Sequence, residues 1–198
     1  MKKLVVCLVL LLSTCLSSIC LAAPPAIEQA LETAGKNRSQ IQRALDQVPA
    51  AHRKGMTFLV ENMRPTDLQN LKADYLLQNV HQAYRAWDGV PWKKDIPEEV
   101  FLNNVLPYSV INERRDDWRK DFYDRFHPLV KDARSPGEAA VILNKNVFKM
   151  VNVKYSTGRK KPDQSPYESM ETGLASCSGL TVILVDACRS VGVPARFV

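Results

Sequence analysis

Apolar residues recur at helical spacing from Ala26 to about Met150, and only at Val151 does the period fall to two. A chain patterned this way builds a helical assembly first and acquires strands late, which predicts an α+β fold, mostly helical. Ala26 to Ala34 reads as a helix stopped at Gly35. Asn37 precedes Gln40 by three residues, a capping pattern, and opens a helix with Ile41, Leu45 and Val48 on one face, ended by Pro49. After Pro65, Thr66 and Gln69 repeat that pattern. They lead into a long amphipathic helix carrying Leu68, Leu71, Tyr75, Leu76, Val80, Ala83 and Trp87, which stops at Gly89. Its aromatic residues are expected in the core.

Pro91, Pro97 and Pro107 punctuate the next stretch, which predicts a boundary or wrap-around connection there. The division is a helical region over 23–107 and a second unit over 108–198. The second unit opens with a helix that has Trp118, Phe122 and Phe126 four residues apart on one face. Its other face carries Arg114, Arg115, Asp116, Asp117, Arg119, Lys120 and Asp121, mixed charges that read as a solvated surface. Ser135-Pro136-Gly137-Glu138 is a strong helix start, and that helix is expected to reach Met150. Val151, Val153 and Tyr155 then alternate with polar residues as a short strand. A long connection follows, from Ser156 to about Ala175. Connections of that length inside a domain are usually functional or disordered, although its run Arg159-Lys160-Lys161 reads as a solvated tip.

The first twenty-two residues say where the chain goes. Lys2 and Lys3 supply a positive start, Leu4 to Leu12 is almost purely apolar, and Cys20-Leu21-Ala22 offers small residues before a cut. This is the three-part pattern of a secretory signal peptide over residues 1–22. Ser13, Thr14, Ser17 and Ser18 break the run well short of the ~20 apolar residues a membrane span needs. The expectation is export to the periplasm or the medium, with no stable membrane anchor after cleavage. Cleavage removes two Lys and no acid, lowering the net charge from +6 to +4. The remaining charges are scattered, and they give no argument for nucleic acid as a partner. Of five cysteines only Cys177 and Cys188 remain, too few for a disulfide scaffold. Eleven residues apart on one helix, they stand ~16 Å from each other, beyond the ~7 Å reach of a disulfide. At least one thiol is therefore free.

Cys177 begins a helix whose apolar positions are Leu180, Ile183, Leu184, Ala187 and Val191, so it sits at the edge of a buried face. Asp186 and Arg189 read as an ion pair on the outer side, Gly192 as the stop, and Pro194 to Val198 as the start of a strand. Unpaired N–H groups at a helix N-terminus favour an anionic nucleophile and can donate to an oxyanion. Position alone leaves both a nucleophile and a small core cysteine open.

The run Gly173-Leu174-Ala175-Ser176-Cys177-Ser178-Gly179, continued by Arg189-Ser190-Val191-Gly192-Val193-Pro194-Ala195-Arg196, resembles the transglutaminase-like cysteine enzymes. In that superfamily a Gly-x-Cys nucleophile begins a helix that ends in Arg-x-x-Gly-Ile-Pro-Ala-Arg. Here Ala175 replaces the first glycine, and Thr181 occupies a position that is often small. The resemblance covers roughly Glu138 to Val198. It implies a truncated papain-like core with an antiparallel sheet on the nucleophile helix, and Cys177 as catalytic residue. It also implies transamidation, deamidation or hydrolysis of a protein or peptide substrate; the sequence shows no metal cluster or phosphate loop, so no cofactor or metal is expected. The family's His and Asp follow the cysteine by tens of residues, whereas His52, His81 and His127 all precede it. The chain therefore reads as a fragment, inactive as written. The rival reading is a non-catalytic scaffold, or a helical binding module for protein or glycan.

Overall fold

The computed structural model describes residues 25–198; the signal-peptide reading lies outside them. Helices α1 (Pro25–Ala34), α2 (Arg38–Gln47), α3 (Arg53–Glu61), α4 (Pro65–Leu68), α5 (Ala73–Asp88) and α6 (Glu98–Asn104) form the first part. Then come α7 (Arg119–Val130), α8 (Pro136–Met150), β1 (Lys154–Tyr155), α9 (Pro166–Thr172), β2 (Leu174–Ala175) and α10 (Cys177–Ser190). The protein is a helix-rich α+β structure, as the patterning predicts. In the first part, α1 and α5 pack on α2 and α3. In the second, α10 packs chiefly on α7 and α8, with α9 and α5 also against it. One apolar core joins the two, from Ile27 to Val193, and Trp118, Phe122 and Phe126 lie in it as expected.

The capping motifs divide by context. Ser135 accepts from the Glu138 N–H and starts α8, which ends at Met150 as the motif predicts. Asn37 and Gln40 do not cap α2. The Asn37 carboxamide, buried, donates to the Leu68 and Leu71 carbonyls at 2.8 Å each, and Gln40 accepts from the Ala73 N–H at 3.1 Å. Both amides satisfy the orphan groups between α4 and α5, a tertiary use that outranks a local cap. Thr66 lies inside the short α4, and α5 starts only at Ala73, without a side-chain cap.

The charged face of α7 is only half solvated. Lys120–Asp124 and Arg125–Asp121 are exposed pairs one turn apart. Arg119, by contrast, is 2% exposed. Its Nε donates to Asn79 Oδ1 at 2.7 Å, Nη1 to the Arg189 carbonyl, and Nη2 to the carbonyls of Val105, Leu106 and Pro107. The chain leaving α6 has no helix or strand to satisfy those carbonyls, and a guanidinium fork supplies several donors at once. Glu113 and Asp116 are buried too. The Glu113 carboxylate accepts from the Val110 and Ile111 N–H groups; Asp116 accepts from Arg114 Nε and from the Tyr167 N–H at the start of α9. Arg115 closes on Asp67, which also accepts from the Tyr108 hydroxyl.

The expected strand from Val151 contracts to Lys154–Tyr155 because Val151 and Val153 turn into the core through Asn152, whose φ is 52°. The long connection contains α9, which begins with a capping box between Ser165 and Glu168. The sheet differs from the family expectation. The β1–β2 pair is parallel, with Lys154 opposite Leu174 and Tyr155 opposite Ala175. A connection that includes α9 returns the chain in the same direction, which a tight hairpin cannot do. At the far end, residues 194–198 form no strand. The Ala195 N–H donates to the Asn104 carbonyl and the Ala195 carbonyl accepts from Arg189 Nε, so the segment is held by a helix end and a side chain instead.

Candidate functional site

Three local devices place Cys177. The first is Gly173, left-handed at φ 68°, which ends α9 and turns the chain into β2. The second is Ser176, the N-cap of α10: its hydroxyl accepts from the Gly179 N–H at 3.0 Å and donates to the Pro162 carbonyl at 2.6 Å. The third is Gln164, buried at 1% exposure. Its carboxamide donates to the Glu168 carbonyl, Thr172 Oγ1 and the Leu174 carbonyl, so it closes the outer edge of β2 against α9. Sequence reasoning singles out neither Ser176 nor Gln164. Ser176 carries a legible signal, a cap residue directly before the helix; Gln164 carries none, because its partners are two backbone carbonyls and the Thr172 hydroxyl, all in α9 and β2.

Cys177 is the first residue of α10 and is exposed, rather than part of the buried face. Gly179 bonds to the Ser176 hydroxyl and Leu180 to the Ser176 carbonyl. The N–H groups of Cys177 and Ser178 are left, among the described residues, without an acceptor. They are the donors a helix start offers to a developing oxyanion. Cys188 contrasts on every count. It is buried, and burial pushes its thiol up to about 12. Both thiols are free.

The departures at 175 and 181 are accommodated. Ala175 is fully buried against the first turn of α10, where a Cβ on Gly179 would come within 3.1 Å of its own Cβ. The glycine four residues later supplies the room that a glycine at 175 would otherwise provide. The Thr181 hydroxyl turns back to donate to the Cys177 carbonyl at 2.9 Å.

Asp186 and Arg189 are not an exposed ion pair. Asp186 is 0% exposed with both oxygens unpartnered, and Arg189 is buried, donating to the carbonyls of Pro107, Ser109 and Ala195. The second half of α10 is enclosed on all sides, so its polar face has no solvent to meet. The histidines are engaged elsewhere. His52 stacks on Tyr84 at 4.2 Å with His81 beyond it, and His127 stacks on Tyr123 at 4.6 Å. Among the described residues no group of His, Cys, Asp and Glu could hold a metal ion.

The fold is thus an α+β structure in which an exposed thiol starts a central helix, backed by a short strand. Residues 125–198 match the family model of the transglutaminase-like superfamily, in agreement with the resemblance read from the Cys177 and Arg189–Arg196 motifs. No curated protein and no solved structure matches the chain.

Proposed function

We propose that this chain carries the nucleophile of an exported thiol enzyme that acts on amide bonds of a protein or peptide, by transamidation, deamidation or hydrolysis. The observation that carries the reading is the exposed Cys177 at the first position of a capped, 14-residue helix, beside free N–H groups. In this reading the Cys177 sulfur attacks the amide carbonyl. The N–H groups of Cys177 and Ser178 hold the oxyanion, and the amine leaves as an acyl-enzyme forms. A general acid must protonate that amine; His52 and His127 are stacked on Tyr84 and Tyr123, and His81 lies beside His52. The described residues alone are accordingly proposed to be silent in turnover.

The test is alkylation by iodoacetamide, followed by peptide mass analysis. Native Cys177 should label faster than the same residue in denaturant, where both thiols are equivalent, while native Cys188 should stay unlabelled. Native Cys177 reacting no faster than in denaturant would mean an ordinary exposed thiol, and the non-catalytic scaffold would become the better reading.

A further inference from the structure

A groove of about 580 Å³, lined by Lys149, Asn152, Lys154, Thr172, Gly173 and Leu174, comes within three residues of Cys177 along the chain. Phe148 and Val153 add apolar surface to it. Resting on the reading of Cys177 as the attacking thiol, we infer that this groove holds an extended, acidic segment of a peptide substrate, next to the bond attacked.

Position is the first argument. Leu174 precedes Cys177 by three residues, so their Cα atoms stand no more than about 11 Å apart. A peptide whose scissile carbonyl rests on the Cys177 sulfur reaches the groove with its third or fourth neighbouring residue, at ~3.3 Å per extended residue. Shape is the second. Gly173 and Asn152 both adopt left-handed backbone, and a Cβ on Gly173 would stand 3.2 Å from the Asn152 carbonyl. The two turns meet at the groove without side-chain bulk from position 173. Charge is the third. Lys149 and Lys154 contribute two cations, and no carboxylate lines the groove. The ion pairs among the described residues all involve other side chains, so neither lysine is neutralised within the protein. Two unpaired cations flanking apolar surface select a segment that alternates carboxylate and aliphatic side chains. The Lys160 and Lys161 region is a weaker site for an anion, because Glu168 and Glu171 line the same pocket and Lys161 already pairs with Glu168.

The experiment measures fluorescence anisotropy of a labelled octapeptide of alternating Glu and Leu, against a control with Lys in place of Glu. The purified protein should bind the acidic peptide at least about tenfold more tightly than the basic one, and less tightly as salt rises. The double variant Lys149→Glu with Lys154→Glu should lose that preference and favour the basic peptide, whereas Lys131→Glu should change little. Reversed selectivity is a gain that a misfolded variant cannot show. Equal binding of both peptides, binding of neither, or a double variant that keeps the acidic preference would overturn the groove. Alkylation of Cys177 in the same preparations separates the two ideas. Charge-selective binding with ordinary labelling supports the groove and overturns the thiol reading. Fast labelling without charge-selective binding overturns the groove and leaves the thiol reading standing.

Discussion

Asp186 lies inside the packing of α10 with neither oxygen bonded, and burial raises its carboxyl well above the usual carboxylate range. The fields of Arg189 and Arg119 pull the other way, and those of Glu113 and Asp116 add to the rise. A carboxyl that holds its proton more tightly folded than unfolded stabilises the fold fully below the unfolded value of ~3.9 and loses that contribution as pH climbs toward the folded value. Asp186→Asn keeps the shape and removes the titration. The variant should therefore show a higher urea midpoint than the parent at pH 7, with the gap closing near pH 4; a gap constant in pH would mean that Asp186 is ionised in the fold. The contrast between Cys177 and Cys188 belongs to the same scale. Two identical side chains on one helix differ because one stands at a solvated helix start and the other inside the core.

The ends of α10 are where its sequence and its surroundings meet. At the N-terminus, Ser176 satisfies one of the orphan N–H groups and ties the helix to the Pro162 loop. Ser176→Ala should cost about 1 kcal/mol in denaturant unfolding, the usual worth of a cap. It should also slow the alkylation of Cys177, whose position the cap sets. At the C-terminus, Gly192 has a φ of 77°, and its carbonyl accepts from Trp92 Nε1 at 3.0 Å. A Cβ at this position would come within 2.8 Å of the Ala86 carbonyl oxygen at the end of α5. Gly192→Ala combines a left-handed backbone with a backbone clash, so it should destabilise by about 2 kcal/mol or more. A glycine needed only as a helix stop would lose less, since the backbone penalty alone is about 1 kcal/mol.

Across the whole molecule, Arg119 joins α5, the chain after α6, α7 and α10 through a single buried guanidinium. Burial and the nearby Arg189 both oppose its charge, while its carbonyl acceptors support it. Removing such a group leaves several buried carbonyls without donors. Arg119→Met should therefore cost about 3–5 kcal/mol, the range for breaking a buried charged network. If the two parts of the chain fold as one unit, far-ultraviolet circular dichroism and tryptophan fluorescence will report coincident transitions in the parent. Trp92 reports on the contact with Gly192, and Trp118 on α7. Separate transitions would mean that the core shared by the two parts couples them only weakly.

What local chemistry dictates is legible in the order of the residues. The helical spacing of Ile41, Leu76, Phe122 and Leu143 places them in the core, the Ser135 motif starts α8, and the Cys177 helix with its glycine stop lies where its pattern puts it. Each rests on residues within a few positions of one another, where spacing and backbone preference act without help. The same local rules fail for the cap at Asn37, the solvated face of α7, the outer Asp186–Arg189 pair and the terminal strand. For the cap, the α7 face and the strand, a distant backbone group competes for the polar side chain or the segment: Leu68 and Leu71 for Asn37, Pro107 and Arg189 for Arg119, Asn104 for Ala195. Arg189 is likewise drawn inward, by the carbonyls of Pro107 and Ser109. A buried carbonyl or N–H must find a partner somewhere, and the linear order of residues does not say which one will be near. The chain's pattern decided that Cys177 would start a helix. Only the packing of β2, α9 and the Pro162 loop decided that its sulfur would remain in solvent, while Asp186 and Arg189, on the same helix, would not.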